Sequence, residues 1–232
     1  MATKAELERR RKQANRTRAE KRRVQALWWH EERLFARGVQ VVAGVDEAGR
    51  GPLAGPVVAA AVILPRGLFL RDINDSKQLD PDQREALYAQ LQRVALGVGV
   101  GICEVAIIDR LNILRATWLA MQQALAALPT RPECVLLDGY RMPRCEYPQE
   151  ALVDGDCRSI SIAAASIVAK VTRDRMMNEL DRQYPLWGFA QHKGYSTPEH
   201  LACINKHGVC EIHRRSFAPV YESFQPHLPL EG

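Results

Sequence analysis

Residues 5–37 contain no Gly or Pro and are rich in Ala, Glu, Arg, Lys and Leu, so the chain opens on a predicted helix. Up to about Leu27 its apolar positions are too sparse for a core-facing stripe, and this stretch is expected to be exposed and frayed, or disordered. Leu27, Trp28, Glu31, Leu34 and Phe35 then share one helical face, which predicts docking there, and Gly38 stands where a C′ glycine ends a helix. From Val39 the pattern changes. The run VQVVAGVDEAGRG predicts a buried strand that leaves the core on two carboxylates and a glycine loop, and Val57 to Leu64, beyond Pro52 and Pro56, predicts a hairpin-like partner. Residues 81–93 are predicted helical, with Pro81 behind an Asp80 cap, and Val94 to Val105 is β-like and Gly-rich. Leu111, Leu114, Trp118, Met121 and Leu125, three or four apart, predict a single amphipathic helix from Ile107 to Leu128, with Trp118, Met121 and Leu125 in the core. Cys134 to Leu137 and Ala151 to Val153 are short predicted strands. Ile160 to Leu180 is a long predicted helix whose small-residue start, IAAASIVA, permits close approach to a sheet, and Pro198 to Lys206 is a last helix. Three strands together, then alternating helices and strands, imply an α/β layer fold with a mixed sheet.

At 232 residues and 47% apolar composition the chain suits one core of ordinary size with an appendage. The pattern divides it into a tail over 1–25, a docking helix over 26–38, a main domain over 39–225 and a short tail over 226–232. Charge sharpens that division. Residues 1–25 hold ten Lys/Arg and three Asp/Glu, which leaves 32 − 10 = 22 basic against 27 − 3 = 24 acidic residues elsewhere. The body is thus near −2, and the pI of about 9.0 belongs to the tail. Six scattered cysteines without a CxxC pair predict reduced thiols and no disulfides. There is no apolar run of 18 residues and charge begins at Lys4, so neither a membrane span nor a secretory signal is expected, and the predicted compartment is the cytoplasm.

Asp46, Glu47, Asp138 and Asp156 each stand at a strand end or a helix entry rather than on a solvated helical face. Carboxylates at the carboxyl ends of neighbouring strands converge on the crevice where α/β folds bind ligands. Their mutual repulsion is relieved by hard oxygen-binding cations, which makes Mg2+ or Mn2+ the expected cofactor. Asp-Gly and Gly-Asp pairs are also common turn signals, so Asp138 and Asp156 taken singly could be loop punctuation. Asp46-Glu47, directly after VVAGV, is a costlier placement that calls for a compensating ligand or partner. Gly49, Arg50 and Gly51, with Gly55, form a backbone able to approach a sugar or phosphate. Their spacing, G-x-G-x-x-x-G with prolines, does not suit a dinucleotide fingerprint. Cys203, His207, Cys210 and His213 lie near one another, but their spacing is not a usual structural zinc pattern. By themselves these features leave open a metal nuclease of another kind, such as a resolvase or exonuclease, and a non-catalytic RNA-binding protein driven by the tail.

GVDEAGRGPLAGPV (Gly44 to Val57), NDSKQL (Asn74 to Leu79), LLDG (Leu136 to Gly139), Gly155-Asp156, AASIVAKVTRDR (Ala164 to Arg175), HKGYST (His192 to Thr197) and HRRSF (His213 to Phe217) together resemble the bacterial ribonuclease HII family, in order, from about Val41 to Val220. The resemblance implies a ribonuclease H-like fold with a five-stranded mixed sheet, flanking helices and a mainly helical C-terminal segment. It implies that Asp46, Glu47, Asp138 and Asp156 are the catalytic, metal-binding carboxylates; the family's apolar strand followed by Gly-Asp selects Asp156 over Asp154. The ribonucleotide reader maps onto Gly49, Arg50 and Gly51 and onto Tyr195, and Ser76, Lys77, Ser166, Lys170 and Lys193 onto the phosphate backbone. Ser166 and Lys170, four apart, share a helical face, although a helical Lys is also a common partner of a nearby acid. The implied substrates are RNA–DNA hybrids and duplex DNA with embedded ribonucleotides, cut with two metal ions by a monomeric enzyme to leave 5′-phosphate and 3′-OH ends. The basic tail lies outside the resemblance. His213, with Arg214 and Arg215, is expected to anchor the C-terminal segment.

Overall fold

A computed structural model describes residues 4–222; the short tail expected at 226–232 and the last residues expected of the main domain, 223–225, lie outside the described residues. Five strands, β1 (Val42–Ala48), β2 (Val57–Ile63), β3 (Gly97–Cys103), β4 (Cys134–Asp138) and β5 (Gln149–Leu152), form one mixed sheet in the order β3-β2-β1-β4-β5. The helices are α1 (Lys4–Leu27), α2 (Trp29–Phe35), α3 (Pro81–Val94), α4 (Val105–Leu111), α5 (Ile113–Ala126), α6 (Ile160–Gln183), α7 (Phe189–His192), α8 (Pro198–His207) and α9 (Ala218–Glu222). Among the described residues no helix is long and apolar enough to cross a membrane. By its internal contacts the chain divides into two compact units, one of residues 4–46, 62–98 and 129–167, the other of 47–61, 99–128 and 168–222.

In the first unit β1 and β4 run parallel from Val42↔Cys134 to Val45↔Leu137, and β4 and β5 run parallel from Val135↔Gln149 to Asp138↔Leu152. Leu34, Val42, Cys134, Leu136, Leu152 and Ile162 form a core there, so α2 does dock through the face that the pattern marked. Glu31, fully buried on that face, accepts hydrogen bonds from Ser159 Oγ (2.6 Å) and from the Ser161 N–H (3.0 Å) at the start of α6. Gly44 shows why α6 begins with small residues: a Cβ there would lie 2.1 Å from the Ser161 carbonyl carbon. Strand and helix approach backbone to backbone. The continuous first helix expected from the sequence is instead two, broken at Trp28, whose buried indole donates to Leu68 O at 3.0 Å. Docking also begins earlier than Leu27. Glu20 accepts the Asp72 N–H (2.9 Å), Arg23 donates to Ile73 O (2.6 Å) and Val24 is buried. Two of these three anchors are polar and hence invisible to an apolar stripe. Helix α3 starts on a capping box between Asp80 and Gln83 with Pro81 in its first turn, as expected.

In the second unit the predicted single helix over Ile107 to Leu128 is likewise two, because Asn112 takes a left-handed φ of 73° and its side chain caps α5 through the Arg115 N–H. The buried face of α5 is Ala116, Thr117, Ala120, Met121, Ala124 and Leu125, while Leu114 is exposed and Trp118 only half-buried. The cause lies in β3. Cβ atoms at Gly99 and Gly101 would stand 2.0 and 1.9 Å from the carbonyl oxygens of Ala124 and Ala120. An alanine face seats on a glycine strand, and the larger Leu114 and Trp118 are turned aside. Two further cores, around Leu53, Ile204 and Val220 and around Ala54, Met177 and Phe189, hold the C-terminal helices.

Candidate functional site

The β1–β4 register ends on Val45↔Leu137, so the next residues, Asp46 and Asp138, stand side by side at the carboxyl ends of adjacent parallel strands. Asp46 is buried and Asp138 partly so, with Asp138 Oδ1 accepting the Gly155 N–H at 2.7 Å. Gly155 opens a short 3-10 turn, Gly155–Cys157, that carries Asp156 into a buried position, whereas Asp154 is exposed in a left-handed turn conformation (φ 53°). Of the two acids, the buried one is Asp156, which the resemblance selects.

A further carboxylate joins them. Asp75, buried, caps the 3-10 turn Ser76–Gln78 by accepting the Lys77 N–H at 2.9 Å, and ligand atoms of Asp75, Asp156 and Cys157 lie within 4.8 Å of one another. Sequence reasoning passed over Asp75. It stands in the NDSKQL block next to two residues singled out for phosphate, and an acid before a Lys at a turn was the available signal. Burial, then the charges of Asp75 and Asp138, push the Asp156 carboxyl above its ordinary range, and Lys77 opposes them with Nζ 3.7 Å from Asp156 Oδ2. For the exposed Lys77 ammonium burial works the other way, yet Asp75, Asp156, Asp46 and Asp138 together outweigh it and raise its pKa. One cation therefore feels four carboxylates. Such a set of hard oxygen donors, gathered around one site, fits a divalent cation. Ser76 and Ser166, expected on the phosphate backbone, are buried, and their hydroxyls bond one another at 2.8 Å.

In the second unit Glu47, directly after Asp46 in the chain, pairs with Arg50 at 3.2 Å. The loop that follows is held from behind by two fully buried arginines. Arg173 donates to the carbonyls of Ala54 (3.1 Å), Pro56 (3.0 Å) and Lys193 (3.0 Å), and Arg214 to those of Gly49 (2.6 Å), Arg50 (3.0 Å), Gly55 (2.9 Å) and Pro56 (3.2 Å). Burial, with Arg173 as neighbour, lowers the Arg214 pKa to about 9, against the pull of Asp109, so it stays charged at neutral pH. With its carbonyls engaged, the loop keeps the form that Gly49 dictates: φ is +94°, and a Cβ would stand 2.0 Å from Arg173 Nε. Gly51, by contrast, has an ordinary φ, and its neighbour is the half-exposed Tyr195 ring, 3.9 Å from where a Cβ would stand. Arg214 anchors the C-terminal segment as expected, through the loop's own carbonyls; Arg215 is exposed. Neither Arg173 nor Arg214 was singled out as a site residue, since nothing in a sequence marks a buried arginine that serves backbone oxygens. Lys170 pairs with Asp174 at 2.7 Å, and Lys193 donates to Ala190 O (2.6 Å) and to Asn178. Each ammonium thus has a partner within this unit.

A family model described as ribonuclease HII matches residues 43–220. The chain belongs to the ribonuclease HII family. It is 56% identical to ribonuclease HII of Geobacillus thermodenitrificans over 91% of this chain and 82% of that one, and 53% identical to the Geobacter metallireducens protein over 87% and 94%. In structure it is similar to the ribonuclease H2 of Pyrococcus horikoshii OT3, with a TM-score of 0.67, 30% identity, and 79% of this chain and 97% of that one covered. Family membership makes it a ribonuclease H-type enzyme, a nuclease on the ribonuclease H-like α/β fold.

Proposed function

We propose that this enzyme hydrolyses the RNA strand of RNA–DNA hybrids and cuts at ribonucleotides embedded in duplex DNA, using two divalent cations, Mn2+ or Mg2+, held by Asp46, Glu47, Asp138 and Asp156. The observation that carries the reading is the convergence of Asp46, Asp75, Asp138 and Asp156 on the Lys77 ammonium, in a chain whose family is that of ribonuclease HII. When bound, the cations lower the pKa of the attacking water and neutralise charge on the leaving oxygen. The protein's part is placement. Asp46 and Asp138 are fixed by the strand register, Asp138 further by the Gly155 N–H, and Asp156 by its turn. Water's oxygen adds to phosphorus, the bond to the 3′ oxygen breaks, and that oxygen takes up a proton, leaving 5′-phosphate and 3′-OH ends. Lys77 holds the approaching phosphodiester in line. The clamped Gly49–Gly51 backbone and the Tyr195 ring recognise the 2′-OH and sugar that distinguish RNA from DNA. Six free thiols support placing the enzyme in the cytoplasm, where it works as a monomer.

The test is a duplex bearing one ribonucleotide, beside an all-DNA duplex of the same sequence, each with Mg2+, Mn2+ or EDTA. Cutting at the ribonucleotide alone, lost in EDTA, is expected. Equal cutting of the all-DNA duplex would replace this reading with a nuclease of another specificity, and binding without cutting in either metal would leave a non-catalytic binder.

A further inference from the structure

Behind Tyr195 lie three buried histidines, His192, His200 and His213. The first two rings stack at 4.2 Å, and those of His200 and His213 are 5.2 Å apart. Their hydrogen-bond partners dictate where each proton sits. The Cys210 N–H donates to His213 Nδ1 at 2.9 Å, so that nitrogen is an acceptor and the proton of a neutral His213 is on Nε2. That Nε2 faces His200 Nε2 at 3.1 Å, where only one of the two nitrogens can carry hydrogen. His200 therefore accepts at Nε2 and carries its own proton on Nδ1, 2.9 Å from the carbonyl oxygen of Tyr195. His192 completes the set: it accepts the Gly194 N–H on Nδ1 (3.1 Å) and turns Nε2 to Trp187 O (2.6 Å).

The relay ends on a backbone built to be rigid beneath a ring that is half-exposed. Lys193 and Gly194 both have left-handed φ, 53° and 82°, and a Cβ on Gly194 would stand 2.6 Å from Ala54 O. Tyr195 O also accepts the Thr197 N–H at 2.8 Å, and Gly194 O accepts the Leu53 N–H at 2.7 Å. We propose that Cys210 N–H, His213 and His200 form a one-way relay of neutral hydrogen bonds that sets the Tyr195 backbone, making His213 and His200 positioning residues for ribonucleotide recognition. A charged His200 would bring two N–H groups face to face at the 3.1 Å contact, and a charged His213 would set a new Nδ1–H against the Cys210 N–H at 2.9 Å. Burial guards against this, pushing His213 down to about 4 and holding His200 below its ordinary value. The proposal rests on the reading of Tyr195 given above, and its test separates the two.

Long-range 1H–15N correlation on the full chain, without substrate, reads the tautomers directly. His200 is expected as the Nδ1–H form and His192 and His213 as Nε2–H forms, with His213 still neutral at pH 5. A His200 proton on Nε2, or a His213 charged at pH 6, overturns the relay. The kinetic arm uses the single-ribonucleotide duplex. His200→Leu removes the donor to Tyr195 O, and kcat should fall on the order of tenfold with KM changed less than about twofold, because alignment and not phosphate binding is lost. His200→Asn returns an amide N–H near the Nδ1 position and should recover most of the rate; His213→Gln, with an amide near Nε2, should stay close to wild type. If His200→Leu does not fold, the tautomers and the two amide variants decide: a slow His200→Asn enzyme with an intact fold counts against the relay. Tyr195→Ala is the control for the underlying reading. No loss in Tyr195→Ala would sink the role of Tyr195, whereas a slow Tyr195→Ala enzyme beside a fast, folded His200→Leu enzyme would sink the relay alone.

Discussion

At the scale of single residues, chemistry and stability pull in opposite directions. Asp156 is pushed above its ordinary pKa by burial and then by Asp75 and Asp138, so the cluster is held together against its own charge. Asp46→Asn and Asp138→Asn keep shape and remove charge. Cation stabilisation of this kind is worth several kcal/mol, so each should lower cleavage by about a hundredfold or more, while melting in EDTA should be unchanged or higher. Wild-type rates, or a loss of several degrees in both variants without metal, would contradict the assignment. The acids at strand ends were legible in the sequence because apolar runs point at them. Asp75 was not, since a turn acid looks the same whether it only caps a backbone N–H or also faces a cluster. Of the buried histidines, only His213 carried a sequence signal, as an anchor. Their effect on stability has a definite sign: His213 is lowered from 6.5 to about 4, so between those values the unfolded chain takes up a proton that the folded one refuses. Stability should therefore be fully present above about pH 6.5 and fall as pH drops toward 4, by up to about 3 kcal/mol from this ring at 1.36 kcal/mol per pKa unit. Urea unfolding at pH 4.5 and 7 of the wild type and His213→Gln isolates it; an equal pH dependence in both proteins would show that His213 is not the group responsible.

Secondary-structure elements show where pattern suffices and where close approach overrides it. The five strands and α3, α6 and α8 fall near the positions that their apolar runs and caps predict. On α5 the Met121 and Leu125 that the pattern places in the core are found there, but Leu114 and Trp118 are not, because against the glycines of β3 the helix seats its alanines. A glycine in a strand is thus a statement about the neighbouring element. Gly44 makes the same statement about α6, and Gly44→Ala should cost several kcal/mol, since the 2.1 Å contact is with backbone that cannot yield. The Gly49–Gly51 loop separates two further kinds. Gly49→Ala is strained by φ and by the Arg173 guanidinium and should melt several degrees lower. Gly51→Ala should melt near wild type but turn over single-ribonucleotide substrate more slowly, as its methyl would sit beside the Tyr195 ring. Melting curves and initial rates on both proteins check this. A Gly51→Ala enzyme of full speed would remove Gly51 from substrate recognition.

For the whole molecule charge is the remaining handle, and it lies almost entirely in the tail. Expected from sequence as a unit over 1–25, the tail has a packed end: Glu20, Arg23 and Val24 are tied to the body, while the side chains at 13–19 of α1 are exposed. The informative cut therefore removes residues 1–18, which carry seven Lys/Arg and two Asp/Glu, a net 7 − 2 = +5. The full chain is +5, so the shortened protein would be neutral, and long-range attraction to a polyanion should go with the cut. Each phosphate neutralised adds roughly 0.9 to the log–log salt slope of duplex binding. Loss of even three contacts would flatten that slope by about 2.7 and weaken binding chiefly at low salt. Turnover at saturating substrate should hold, because the carboxylates and the clamped loop are positioned by residues beyond the cut. Titrations of both proteins at several salt concentrations decide it. Parallel slopes would mean that the segment before Glu20 serves solubility only, and a drop in saturated turnover would mean that its basic residues bear on the bound substrate as well as on the approach.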